Sequence, residues 1–304
     1  MRILILLTLL LCGCASPAPL FTWKQDGSHL ELEQQGRTVW RFNADPADAN
    51  KPYFHPVALP GGDSLTGFRP KDHPWHYGLW FSWKYLNGVN YWELPVKGLT
   101  SWRLLKIERR PDFSARIELA LDYRPSPGAE VVLSEQRRID ISPPAADGSY
   151  TLDWTLDFHA GGQDLECSCT PLSQAHWGGY AGLSARFSQE LTEAEVHLHP
   201  RQLLSGDAFH HCPGQAADFS GRVAATRAGL AMIDHPGNPR RCPWYIITDP
   251  KQPFWFLNAA LLQDQPLHLR PGEKLRLRYR VAVHPGAWDE SRLEAESTAF
   301  ARTK

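Results

Sequence analysis

The sequence predicts an all-β protein, a large antiparallel β-sandwich with one short C-terminal helix. Three observations predict it: clean period-two alternation in long segments, turn-forming Pro clusters between those segments, and only one persuasive helix. The 304 residues include 25 Pro, and each interior Pro removes a helical hydrogen bond and crowds the preceding turn. No helix-sized stretch separates successive strands, so a parallel sheet built from βαβ units is excluded.

In chain order, residues 30–33, 38–42 and 102–107 are short strand candidates. Ala115, Ile117, Leu119, Leu121 and Tyr123 then alternate with Arg116, Glu118, Ala120 and Asp122. Such a strand puts one face in a core and the other toward water. The turn Pro125-Ser126-Pro127-Gly128 leads to a further strand over 130–141, and Pro143-Pro144 closes it. Tyr150, Leu152, Trp154, Leu156 and Phe158 alternate with Thr151, Asp153, Thr155 and Asp157. After the turn Pro271-Gly272-Glu273, Leu275, Leu277, Tyr279 and Val281 alternate with three arginines, Arg276, Arg278 and Arg280. Asp289 is a suitable N-cap for a helix over 290–300. His197 and His199 alternate on a strand, whereas His210 and His211 fall in a Cys/Gly/Pro stretch and are expected as exposed loop residues.

The N-terminus has its own pattern. Arg2 precedes an apolar run, residues 3–11, that is too short to span a bilayer as a mature helix and reads as a signal segment. It ends in Leu11-Cys12-Gly13-Cys14, which resembles the lipobox cleaved before a lipidated cysteine. The expected organisation is a signal peptide over 1–13, a tether over 14–24 lipidated at Cys14, and one β-sandwich domain over 25–304. Ala15 lacks the acidic character that favours inner-membrane retention, so the expected location is the cell envelope. The anchor would be in the outer membrane, facing the periplasm or the surface, and the lipid would be the only membrane contact. In that oxidising setting Cys167, Cys169, Cys212 and Cys242 are read as free buried thiols, with one long-range disulfide as the alternative. Cys167 and Cys169 lie two apart on a probable strand, a poor geometry for bridging each other.

Composition excludes two classes. The formal charge is −1, from 32 Lys and Arg against 33 Asp and Glu. A nucleic-acid-coating protein needs a clear basic surplus, so no nucleic-acid partner is expected. With 42% hydrophobic and 21% charged residues the chain is not disordered. What stands out is 12 Trp and 13 His.

Many of them concentrate in residues 52–93. Within 72–93, 8 of 22 residues are aromatic, against 11% for the chain. Trp80 and Phe81 read as core of a wide strand. Trp75 and Trp92, beside His and Glu, read equally as core or as platforms that stack on a sugar ring. Asp72, His73 and His76 form a tight polar cluster in which a histidine can give or take a proton and a carboxylate can fix its tautomer. Pro74 makes the segment a turn or an extended piece, so both histidines can face one cavity. His55 lies upstream and Glu93 ends the aromatic run. His55, His73 and His76 also match a divalent-metal site on paper, although their spacing is no established zinc signature. A second Asp-His-Pro, at Asp234-His235-Pro236, reads as a β-turn with an Asx-type start.

These residues carry a resemblance. Residues 51–56, 70–80 and 87–93, then Gly178-Gly179-Tyr180-Ala181-Gly182-Leu183, Ile233 to Pro239 with Trp244, and Arg270-Pro271-Gly272-Glu273 through His284 resemble a bacterial family of unknown function. It circulates under the label "methane oxygenase PmoA", and the resemblance runs in order over about residues 25–288. The label fails a physical test: a membrane-embedded oxygenase subunit needs several long apolar spans, and this mature chain has none. Where that family has a second His after the Asp-His pair, this chain has Trp75, so only His73 and His76 carry over there. The family is similar to the galactose-mutarotase-like supersandwich. That likeness implies a sugar groove across one sheet and a His acid working with a carboxylate or Tyr base.

The resulting expectation is a carbohydrate-processing enzyme of hydrolase, lyase or epimerase type. His73 and His76 serve as acid/base, Asp72 as orienter and Glu93 as partner base, because glycoside chemistry needs a proton donor at the leaving oxygen and a base across the ring. Trp75 and Trp92 stack on the sugar, Asn87 and Asn90 bond its hydroxyls, and His55, His235, Asn238 and Arg240 complete the groove. No cofactor is required, and a divalent metal at the histidines is the variant. The alternatives are a non-catalytic sugar-binding lipoprotein of an uptake system and a structural envelope lipoprotein. The enzyme reading requires His55, His73, His76, Glu93 and His235 to line one open cavity.

Overall fold

The computed structural model describes residues 21–204 and 208–303. Cys12 and Cys14, with the signal and lipidation readings, lie outside the described residues. Among the latter the chain forms β1 (Phe21–Asp26), β2 (His29–Gln34), β3 (Arg37–Asn43), β4 (Tyr53–Val57), β5 (Leu79–Ser82), β6 (Tyr85–Leu86) and β7 (Val89–Asn90). Next come β8 (Leu99–Arg109), β9 (Ala115–Arg124), β10 (Leu133–Ile141), β11 (Tyr150–Ala160), β12 (Leu165–Ser168), β13 (Gly182–Arg186) and β14 (Thr192–His199). The remainder are β15 (Phe209–Cys212), β16 (Ala216–Val223), β17 (Thr226–Asp234), β18 (Trp244–Asp249), β19 (Phe254–Ala259), β20 (Leu267–Leu269), β21 (Lys274–Pro285) and α1 (Glu290–Ala301). The first strand thus begins at Phe21, inside the stretch expected to be tether.

Two large antiparallel sheets face each other. One orders nine strands as β1-β2-β3-β4-β5-β13-β19-β18-β15, the other eight as β14-β16-β17-β21-β11-β10-β9-β8. A small four-stranded sheet, β20-β12-β6-β7, closes one side. The main core between the large sheets takes the inward residues of both, among them Leu79, Phe81, Leu183, Ile246 and Leu257 from one and Leu119, Trp154, Phe158 and Leu277 from the other.

The alternating strands belong to the eight-stranded sheet, for a physical reason. Its outer face meets water, so β9, β10, β11 and β21 put every second residue there. Those outward positions form an Arg–Asp lattice: Arg116 with Asp140, Arg276 with Asp157, and Arg280 with Asp153. α1 packs on part of this sheet through Leu293 and Phe300 against Ala216, Ala231, Ile233 and Ala282. Its N-cap is Asp289, whose carboxylate accepts the Arg292 N–H.

In the nine-stranded sheet β5, β13 and β18 are buried throughout or nearly so, and β19 from Trp255 on. On the side away from the main core, Tyr53, Tyr77, Trp80, Trp92, Tyr245, Ile247, Phe256 and Ala260 form a second cluster. This second apolar layer is the floor of the candidate site.

Two local expectations change. His210 and His211 lie in β15, paired with Ile246 and Tyr245 of β18, and His210 is buried. The Cys/Gly/Pro signals around them punctuate an edge strand rather than extend a loop. The four cysteines within the described residues are buried and free.

Candidate functional site

A cavity of about 570 Å³ opens on the second cluster. Its lining comes from four places. The turn before β5 gives His73, Trp75 and His76; the chain after β7 gives Trp92 and Glu93; the loop before β13 gives Trp177 and Tyr180. The edge strand β15 gives Phe209, and β18, β19 and their connection give Tyr245, Ile247, Asp249, Gln252, Phe254 and Phe256.

The turn is set by local chemistry. The His73 N–H donates to the Pro70 carbonyl at 3.0 Å and the His76 N–H to the His73 carbonyl at 3.0 Å. The chain then enters β5 through Gly78, whose φ of +69° suits glycine and where a Cβ would collide with the Phe54 carbonyl. That close approach holds the histidine turn against β4 and over the β19 aromatics.

His73 donates through Nδ1 to Asp72 Oδ2 at 2.9 Å, and Arg186 Nη2 donates to the same oxygen at 2.9 Å. Arg186 is fully buried on β13, with its guanidinium 3.7 Å from the centroid of the Phe254 ring. Burial works against the Asp72 charge, but the His73 bond and the Arg186 guanidinium outweigh it and hold the carboxyl below its usual range. Burial lowers His73, against the pull of Asp72. The neutral ring then carries its proton on Nδ1, and Nε2 has no protein partner among the described residues. His76 is 4% exposed, stacked at 5.1 Å on Phe256, with a buried Nδ1 that meets no partner. Burial, then the neighbouring His73, Arg186 and Lys51, put it well below the ordinary imidazole value. The two histidine rings lie 4.7 Å apart.

Glu93 is the opposite kind of group. Its Oε1 accepts from Lys84 Nζ and from the Tyr180 hydroxyl, and its Oε2 accepts from Asn90 Nδ2 at 2.7 Å. Burial raises it, but the Lys84 charge and these bonds prevail, so it stays ionised below the usual carboxylate range. Asn90 Oδ1 also accepts the Trp92 N–H at 2.8 Å, which fixes the bend that aims Glu93. Beneath it Lys51 is buried, donating to the Trp92 carbonyl at 3.1 Å, and burial brings it down to about 7.

The structure therefore brings His73, His76, Trp75, Trp92 and Glu93 together, with Asp72 directly behind His73 and Asn90 behind Glu93. Trp92 is 1% exposed, packed on Trp80 and Tyr180, so it is floor rather than an open platform. Trp177 at 44% exposure is the open aromatic on the rim.

Five expected residues stand elsewhere. His55 bonds Thr66 at 2.9 Å through Nδ1 and stacks at 5.2 Å on Phe68, and burial pushes it down to about 4. It is engaged on β4, apart from the His73–His76 pair. Among the described residues no three His, Cys, Asp or Glu side chains group as a metal would need. Asn87 is a turn residue, its φ +48°, and its amide ties to the Asp164 carbonyl and the Glu166 N–H. His235 lies beyond β17 in the other sheet, edge-on to Phe300 at 5.0 Å, with Arg278 at 3.0 Å from its Nε2. Asn238 bonds Asp234 and the Arg278 backbone, and Arg240 donates to the carbonyls of Gln265 and Pro266. Each is committed to tying loops together, so the condition that His55 and His235 share the cavity is not met.

Sequence reasoning missed Lys84, Tyr180, Arg186, Tyr245, Asp249 and Phe254. For two there was a signal: Lys84 sits between Trp83 and Tyr85 in an apolar run, and Arg186 ends a small-residue strand. A cation in such surroundings needs a partner.

The chain belongs to a family of unknown function, DUF6807, whose model matches residues 29–298. That match contains every motif that suggested a family, and its description carries no oxygenase activity. No helix among the described residues is long and apolar enough to cross a membrane. No curated protein matches the chain. Among solved structures it is similar to the Slr1438 protein from Synechocystis at 11% identity and a TM-score of 0.43, covering 88% of this chain and 96% of that one. A galactose mutarotase-like protein from Clostridium acetobutylicum is 10% identical with a TM-score of 0.41, over 86% of this chain and 94% of that one. An alpha-galactosidase from Geobacillus stearothermophilus is 11% identical with a TM-score of 0.41, over 90% of this chain and 41% of that one.

Proposed function

We propose that this chain binds a carbohydrate in the cavity over the nine-stranded sheet and processes it by proton transfer between the histidine pair and Glu93. One observation carries the reading. A neutral His73 with its Nε2 free and an ionised Glu93 line the same aromatic-walled cavity. Asp72, backed by the buried Arg186, sets the His73 tautomer, so Nε2 is the nitrogen that accepts a proton and later returns it. Glu93, held ionised by Lys84, Tyr180 and Asn90, is the matching acceptor. His76, its Nδ1 buried and without a partner among the described residues, packs beside them. Trp75 and Trp177 supply the flat faces on which sugar rings stack. A lyase or an epimerase can start from this state: one group takes a proton from a sugar carbon and, as its conjugate acid, returns it to the leaving oxygen or to the carbon. A hydrolase would also consume a water and would need His73 to enter protonated.

Sugar binding followed by tryptophan fluorescence, with product analysis over a panel of glycosides and free sugars, tests the reading. The expected result is saturable binding and turnover of at least one sugar. Glu93→Gln should then lower turnover by about two to four orders of magnitude while binding persists. Binding with no turnover of any sugar would make the chain a carbohydrate-binding protein instead, and no binding at all would remove the carbohydrate.

The same reading sets the protein at the cell envelope, anchored by lipid at Cys14. What supports it is the lipobox-like Leu11-Cys12-Gly13-Cys14 after an apolar run. Labelled palmitate should enter the wild-type protein and not Cys14→Ser; equal labelling would refute the anchor.

A further inference from the structure

We propose that the cavity sorts its sugars by charge, with Asp249 favouring a protonated amino sugar over a neutral sugar, and both over a sugar acid. This rests on the carbohydrate reading above and names the class of sugar within it.

Among the described residues, no lysine or arginine lines the cavity, whereas two carboxylates do, Glu93 and Asp249. The Glu93 charge is offset by its pair with Lys84. Asp249 ends β18, and its Oδ1 accepts the backbone N–H groups of Lys251 at 2.9 Å and Gln252 at 3.3 Å. That turn fixes the carboxylate, and among the described residues no cation pairs with it.

Arg186 and Lys51 are committed elsewhere, and the Lys251 side chain beside Asp249 is exposed to solvent and makes no ion pair with it among the described residues. Arg186 is bound to Asp72 and lies over the Phe254 ring. Lys51 is buried, donating to the Trp92 carbonyl and set over the Tyr77 and Trp92 rings. Burial keeps His73 and His76 below their ordinary values, so neither adds a full positive charge at neutral pH.

A ligand therefore meets an uncompensated negative charge and aromatic walls from Trp75, Trp177, Phe209 and Phe254. Both favour an ammonium group, the carboxylate by Coulomb attraction in a partly desolvated space and the rings through their negative faces. A sugar carboxylate would lose water to face Asp249 and gain no partner.

Calorimetric titration of the full chain with glucose, glucosamine and glucuronate, and with their galacto counterparts, reads the order directly. The expected Kd rises on the order of tenfold from the amine to the neutral sugar, and again to the acid. Asp249→Asn keeps an oxygen for the Lys251 and Gln252 N–H groups and should collapse the order, while Asp249→Glu should retain it. Should the Asn variant fail to fold, rising sodium chloride must weaken glucosamine binding to the wild type and spare glucose. Equal affinities, tightest binding of the acid, an order that survives Asp249→Asn, or no effect of salt would each overturn the proposal alone. Silence with all six sugars would overturn the carbohydrate reading along with it.

Discussion

The tripeptide Asp-His-Pro occurs twice in this chain, and the two copies do opposite things. In Asp72-His73-Pro74 the carboxylate faces its own histidine and Arg186, and His73 lines the cavity. In Asp234-His235-Pro236 the carboxylate turns inward, accepting from Asn238 Nδ2 at 2.6 Å and from the Cys242 N–H at 3.0 Å. There the histidine turns outward onto Phe300 and accepts the Gly237 N–H at its Nδ1. The electrostatics diverge accordingly. Asp72 lies below its usual value because the His73 hydrogen bond and the Arg186 guanidinium outweigh burial, while burial raises Asp234 to about 6. Identical local sequence permits the same turn chemistry, and the neighbour that arrives from a distant strand decides whether the result is a site or a knot.

The largest separation between the copies should appear in turnover. His73→Ala should cost about two to four orders of magnitude on any sugar the protein processes, whereas His235→Ala should stay within about twofold. Equal losses would mean that the cavity does not distinguish them. In stability both aspartates should matter. Asp234→Ala leaves the buried Cys242 N–H and the Asn238 amide without an acceptor and should cost about 2–3 kcal/mol, while Asp72→Ala strips the fully buried Arg186 guanidinium of its carboxylate partner and should cost about 3 kcal/mol. Urea denaturation of both variants measures the losses, and a loss under about 1 kcal/mol at Asp72 would mean that the buried Arg186 does not depend on it.

The finest test is pH. Asp234 has its folded value raised to about 6 from an ordinary 3.8, so between these values the folded state binds a proton that the unfolded state has released. Stability from this group therefore falls as pH rises from about 4 to about 6, by about 2–3 kcal/mol. Asp234→Asn should remove that decline from the difference between the two stability–pH curves. Parallel curves over that window would show that Asp234 does not titrate there.

Legibility followed solvent. The strands read most cleanly from sequence were β9, β11 and β21, where polar residues, Arg and Asp prominent among them, mark most outward positions. The helix was legible from Asp289 for the same kind of reason, a polar side chain with one local partner. β18 and β19 were missed. Runs such as Trp244-Tyr245-Ile246-Ile247 and Phe254-Trp255-Phe256-Leu257 have no alternation, because one face packs in the main core and the other floors the cavity. Such runs look the same whether the second face meets a core or a ligand.

The site was legible in part. The segment dense in aromatics and histidines, 72–93, contributes His73, His76, Trp75 and Glu93 to one cavity. It misjudged His55 and Asn87, since adjacency in sequence says nothing about which way a strand residue faces.

By itself, then, the sequence determined the all-β class, the outward faces of one sheet, the helix cap and the segment that gives five of the cavity's lining residues. All of these depend on partners a few residues away or on water. Only the tertiary structure decided that Lys84 and Tyr180 hold Glu93, that Arg186 backs Asp72, and that Asp249 stands on the wall with no cation paired to it among the described residues. Those pairings join strands separated by as many as 114 positions, as Arg186 and Asp72 are. The polar partner of a buried charge is chosen by strand order, which no local pattern encodes.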